Sequence, residues 1–145
     1  MAKKILSYPS WDIEGGTIAD SQTESLFVQG QFVGMSATGV KLADYRAAQG
    51  PVAALGVLRE SMQRLTPRGD VISREPQLSW VSHCRVGGFT GLTQGAYYFL
   101  GQAGNPHTVA STAPATLTGD IDQIVGIALS ATELKVMIGG IVKHA

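Results

Sequence analysis

From residue 88 to residue 138 the chain alternates short apolar runs with polar breaks bounded by glycine, and the other segments are organised around this stretch. Tyr97, Tyr98, Phe99 and Leu100 form an apolar run entered through Gly95 and left through Gly101, the pattern of a strand buried on both faces. Residues 101–119 are mostly Gly, Ala, Ser, Thr, Asn and Pro, which predicts a polar loop. Beyond it, alternation assigns Ile121, Val125, Ile127 and Leu129 to one strand face. The small Gly126, Ala128 and Ser130 fall on the other, where a neighbour can pack closely. After a turn at residues 130–132, Leu134, Val136 and Ile138 point inward and Glu133 and Lys135 outward, completing a hairpin with a half-exposed last strand. A helix competes over the same residues. Asp120 and Gln123 stand at capping-box spacing, and Ile121, Ile124, Val125, Ala128 and Leu129 make a helical stripe. The central Gly126, the β-branched content and the strict period of two that follows favour strands.

The N-terminal residues keep neither period. Ile5, Leu6, Tyr8, Trp11 and Ile13 are interrupted by Pro9, Gly15 and Gly16, which predicts an extended arm over residues 1–24. Tyr8 and Trp11 are large anchors that are costly to leave in water, so the arm lies either on a partner subunit or back across its own domain. From Ser25 the pattern is β again, with short strands at 26–28, 31–35 and 40–43 and a turn at 36–39. Residues 52–65 support two readings. One is a strand centred on Gly56; the other is a helix begun by Pro51 whose stripe is Val52, Leu55, Leu58, Met62 and Leu65.

An internal comparison favours the strand. Gln29, Gly30, Gln31, Phe32 and Val33 resemble Gln94, Gly95, Ala96, Tyr97 and Tyr98, and Leu55, Gly56, Val57 and Leu58 resemble Val125, Gly126, Ile127 and Ala128. The chain therefore divides into the arm, a β domain at 25–138 and a tail at 139–145. The β domain consists of similar units at about 25–58 and 88–138, joined by 59–87. Within the joining segment, residues 78–86 alternate as one long strand added to the sheet. The expected fold is mainly β, a small β-barrel or sandwich with little helix.

Composition sharpens this picture. The 145 residues are 44% hydrophobic, enough for a core, and only 15% charged against roughly 25% in an ordinary soluble domain. A surface so poor in charge is coated with Ser, Thr, Gln and Gly or covered in part by other subunits. Formal net charge is zero, so no global field draws nucleic acid or an acidic membrane. Arg59, Arg64, Arg68, Arg74 and Arg85 do cluster, with Glu60, Asp70 and Glu75 between them. That run is either a solvated face or a patch for an acidic partner surface. No apolar run approaches the ~18 residues of a membrane span. Ile5 and Leu6 after Lys3 and Lys4 are too short an apolar stretch for a secretory signal, so a cytosolic protein is expected unless a larger particle carries it out.

Candidate chemistry is sparse. The single Cys84 excludes an intrachain disulfide and reads as a small buried hydrophobe. His83 beside it is on the opposite strand face, so the pair makes a poor nucleophile and base. His83, His107 and His144 have no acidic residue at metal-pair spacing, and the Gly-Gly pairs at 15–16, 87–88 and 139–140 lack the remaining residues of a phosphate loop. Asp120 and Asp122 are a conceivable same-face carboxylate pair, though a boundary between loop and strand is the favoured explanation. Tyr97, Tyr98 and Phe99 have no Lys or Arg around them, unlike a single-strand nucleic-acid site. The expectation is a protein without a catalytic site, metal or cofactor.

The residues from Gly88, Phe89, Thr90 and Gly91 through Tyr97, Tyr98, Phe99 and Leu100, then a Thr/Ala/Pro-rich loop, then 123–136, resemble a module of tailed-bacteriophage virion proteins. Capsid decoration (cement) proteins and head or tail fibres contain it. The earlier stretch from Gly30, Gln31, Phe32 and Val33 to Gly56, Val57 and Leu58 is similar to the small β-barrel of cement proteins, and together the two cover most of 25–138. The Arg-bearing connector and the aromatic arm fall outside the shared pattern. The resemblance implies a virion protein on the capsid exterior, made in the host cytoplasm. It would bind the major capsid protein as a homo-oligomer, commonly a trimer, and stabilise the shell by clamping neighbouring subunits. Tyr8, Trp11 and Ile13 are then the expected contacts with the shell or a neighbouring subunit, and Gly126 and Ala128 the expected inter-subunit packing positions. The alternatives are a fibre or tail component, or a carbohydrate-binding barrel with Trp80 or Tyr97 as its platform.

Overall fold

The computed structural model describes residues 3–9, 13–17, 29–46, 50–59, 77–101, 109–110 and 118–143. The regular structure among them is β throughout, two antiparallel sheets packed against each other in a sandwich that does not close into a barrel. The first sheet has the order β2 (Ile13–Thr17), β6 (Gln77–Val81), β5 (Gly56–Leu58), β3 (Phe32–Ser36), β4 (Gly39–Leu42). The second runs β1 (Lys4–Ser7), β7 (His83–Gly87), β11 (Glu133–Met137), β10 (Ile121–Ala128), β8 (Tyr97–Leu100), β9 (Val109–Ala110), with β12 (Ile141–Lys143) paired to β10. The helical alternative at 121–138 is thus replaced by β10 and β11, and that at 52–58 by a bridge from Val52 to Asp44 and the short β5, whose strand begins only at Gly56; residues 60–65 and 26–28 lie outside the described residues.

Apart from β1 and β12, the second sheet repeats the first strand for strand. In the first, Phe32 lies opposite Val57 and Val33 opposite Gly56; in the second, Tyr97 lies opposite Ile127 and Tyr98 opposite Gly126. The turns match as well. Gly30 N–H donates to the Leu58 carbonyl at 3.1 Å and Gly95 N–H to the Ala128 carbonyl at 2.8 Å, and both glycines hold left-handed φ angles, 91° and 84°. A side chain there would be strained, which is why both copies enter their aromatic strand through glycine.

The boundary between the copies differs from the expected one. Residues 78–86 are not one strand: β6 joins the first sheet, β7 joins the second, and the chain changes sheets at Ser82. Each copy needs a strand beside its central hairpin, and the alternating run is long enough to supply both. The units are therefore 13–81 and 83–137, with β2 and β7 as their equivalent first strands.

The larger core lies between the sheets. Phe32, Val57 and Val81 of the first copy belong to one buried cluster with Val86, Tyr98, Leu134 and Val136 of the second. On the first sheet's other face a smaller cluster gathers Val33, Val40, Leu42, Leu58, Leu78 and Trp80. There the sheet curls, bringing the edge strands β2 and β4 together. A methyl group on Gly16 would meet Val40 Cγ2 at 2.8 Å and the Trp80 ring at 3.3 Å, so the curl depends on glycine at that position. Between the copies, Gln123 accepts a hydrogen bond from Ala54 N–H at 2.7 Å and donates to the Ala54 carbonyl at 2.9 Å, while Ile121 N–H donates to the Tyr45 carbonyl at 3.0 Å.

A bulge in β10 corrects the expected faces of that strand. Its pairing with β8 shifts between Ile124 and Gly126, so the side-chain parity reverses there. Ile121, Gln123 and Val125 point inward before the shift, and Gly126 and Ala128 after it. Ile127 is only half-buried, and Leu129 is 37% exposed.

Candidate functional site

The duplication exposes in one copy what it buries in the other. Across the first sheet, Ile13, Val81, Val57 and Phe32 stand side by side, and the last three are buried against the second copy. The equivalent row of the second sheet is Arg85, Lys135, Ile127 and Tyr97. It faces outward: Arg85 and Lys135 are exposed, Ile127 is half-buried and Tyr97 is 53% exposed. Phe99 and Ile124, opposite each other on the same face, extend the apolar end together with Leu129. An outward sheet face is ordinarily polar, so exposed apolar side chains at this density make this face the candidate contact surface.

The other end of the row is cationic. Arg85 donates to Glu133 at 2.6 Å, the arginine exposed and the glutamate half-buried. An ion pair in water contributes little, so Glu133→Gln is expected to cost less than about 1 kcal/mol in thermal or urea unfolding. Lys135 has no ion pair among the described residues. Beside it opens a groove of about 320 Å³ whose walls include Tyr8, Pro9, His83, Arg85, Lys135 and Val136. Its outer wall is built by the arm. β1 pairs with β7 as far as Ser7 opposite Arg85, and Tyr8 and Pro9 then leave the ladder. The Arg59 guanidinium lies 5.5 Å from the centre of the Tyr8 ring and holds it there. At the other end of β1, Lys3 stacks over Phe89 at 4.8 Å, and its burial lowers the ammonium pKa below the usual lysine value.

Of the expected contact residues, Tyr8 (39% exposed) and Ile13 (38% exposed) are both accessible, and Trp11 lies outside the described residues. Tyr8 and Ile13 belong to different surroundings, since the arm returns across its own domain: β1 edges the second sheet and β2 the first. Gly126 and Ala128 are corrected. The space that small residues leave is filled from within the chain, with the Lys135 carbonyl 2.5 Å and Leu134 Cγ 3.0 Å from where a Gly126 side chain would begin, and Ala128 is buried. Trp80 is likewise core, 3% exposed, and cannot serve as a platform, whereas Tyr97 can.

His83 is exposed and within 3.1 Å of the Ser82 hydroxyl, while Cys84 is buried. Asp120 precedes β10 directly after the left-handed Gly119, at a boundary between loop and strand. No three His, Cys, Asp or Glu side chains among the described residues stand close enough to share a metal ion, and no helix there is long and apolar enough to cross a membrane.

Sequence reasoning missed the outward row and the groove. One signal was available: Gly15 and Gly16 occupy in β2 the places that Gly87 and Gly88 occupy at the end of β7, so the two glycine pairs mark the same position of the duplicated unit. No protein-family model, curated protein or solved structure matches the chain.

Proposed function

We propose that the chain is a structural virion subunit, a decoration protein of a tailed-phage capsid. It binds the outside of the shell as a homo-oligomer, in the first instance a trimer, and clamps neighbouring capsid subunits without catalysing a reaction. The observation that carries this reading is the outward row of the second sheet. Its counterpart in the first sheet is buried by a packed sheet, while Tyr97, Ile124 and Leu129 remain exposed. Burying such a face yields about 25 cal/mol per Å² of apolar area before ordering costs. A stable interface buries roughly 1,200–2,000 Å², more than a few side chains supply. Repetition of the patch in an oligomer supplies the remaining affinity through effective concentration.

The test is co-sedimentation of the full chain with empty, expanded shells of the major capsid protein from the same source. The wild-type protein is expected in the pellet and the shell's melting temperature is expected to rise. Replacing both Tyr97 and Ile124, 53% and 37% exposed, by serine should weaken retention at least about tenfold in a variant whose melting curve still shows a single folded domain. A wild-type protein that stays in the supernatant at saturating shell concentration would end the proposal.

A further inference from the structure

Among the described residues, the groove beside Tyr8 combines an apolar wall with the cationic Arg85 and Lys135, in a molecule whose formal net charge is zero. Arg59 sits over the Tyr8 ring, Arg85 and Lys135 line the opening with His83, and Glu133 is the one carboxylate that pairs there among the described residues. We propose that this groove is a docking site for an acidic extended segment of a partner protein. An Asp or Glu carboxylate of that segment meets Lys135, and its neighbouring apolar side chain lies against Tyr8 and Pro9.

Three features support that occupant. Lys135 is exposed and has no ion pair among the described residues, so a carboxylate placed there gains a charge-assisted bond without displacing one from them. The cavity opens where β1 leaves its ladder with β7, so an incoming segment can run on past Ser7 in the direction of the strand. The equivalent row of the first copy has Val81 and Ile13 where this one has Lys135 and Arg85. The cover that suits the first row, an apolar sheet face, would therefore bury the Lys135 ammonium without a counter-charge, since Glu133 is already engaged by Arg85, whereas an acidic cover supplies one.

The inference rests on reading the chain as a binding subunit, and the two can fail separately because the test contains no shell. The uniformly labelled full chain is titrated with an acetylated, amidated hexapeptide of alternating glutamate and valine, and amide shifts are followed by NMR. A hexapeptide of alternating lysine and valine is the control. Shifts are expected at residues 7, 8, 83–85 and 135–136 with the glutamate peptide alone. They should vanish in Lys135→Glu, whose spectrum elsewhere stays native, and at about 1 M salt, where the screening length falls to about 3 Å. Equal shifts from the lysine peptide, shifts scattered over the whole face, or none at millimolar peptide would overturn the proposal. Failure of the wild-type chain to sediment with shells would overturn the capsid reading alone.

Discussion

Gly126→Ala and Gly56→Ala are each expected to lower the melting temperature by about 10 °C, while Gly140→Ala leaves it unchanged or slightly raised. The first two glycines occupy the same position of the duplicated unit, opposite Tyr98 and Val33 respectively. At Gly126 an added methyl carbon would lie 2.5 Å from the Lys135 carbonyl oxygen and 3.0 Å from Leu134 Cγ. At Gly56 it would lie 2.6 Å from both the Val81 carbonyl oxygen and Trp80 Cδ1. The obstacle in both copies is the backbone of the neighbouring strand, which cannot turn aside as a flexible side chain would. Relief therefore means pushing β11 or β6 out of its ladder. Overpacking of this kind costs about 3 kcal/mol, and a domain of this size loses about 3–4 °C per kcal/mol. Gly140 has nothing within 4 Å of its missing side chain, so alanine there only restricts the unfolded chain. Equal melting curves for Gly126→Ala and Gly140→Ala would mean that β10 and β11 do not approach as described.

The same pair of glycines explains how much of the fold could be read beforehand. Gly30 and Gly95, with Gly56 and Gly126, are kept by backbone requirements that leave no choice of residue, so the repeat was visible through them. Its edges were not visible. β2 and β7 share only their glycines, with Ile13 against Arg85 and Glu14 against Val86, because β7 turns Val86 into the core between the sheets while Ile13 and Glu14 of β2 are both exposed. The parity of β10 was misread beyond Val125 for a related reason: a bulge adds one residue without a distinctive side chain, and every later position changes face. Tyr8 was legible as a large side chain in an unpatterned segment. The groove it helps to form was not, since Tyr8, His83 and Lys135 come together only through the β1, β7 and β11 ladders.

Gln123→Leu is expected to destabilise the domain by about 2–5 kcal/mol although leucine fits the same volume. The Gln123 side chain is 2% exposed and reaches from the second copy to the first, where it meets both polar groups of Ala54 and also donates to the Gly139 carbonyl at 3.1 Å. To Ala54 it behaves as a neighbouring strand would. Leucine removes this partner and leaves the Ala54 N–H and carbonyl inside the protein, each at a cost of about 1–3 kcal/mol. Hydrogen exchange at the Ala54 amide should rise more than at neighbouring positions. Gln123→Glu separates bonding from packing. Ionised, the glutamate could still accept from Ala54 N–H, but it would confront two carbonyl oxygens that need a donor, so burial raises its folded pKa above the ~4.3 of the unfolded chain. The folded state then holds the proton more tightly than the unfolded state. Stability of this variant should be best near pH 4, decline as the pH rises through the window between the two pKa values, and level off above the folded one. If the leucine variant melts with the wild type and the glutamate variant shows no added pH dependence, the two copies are held together by the apolar core alone.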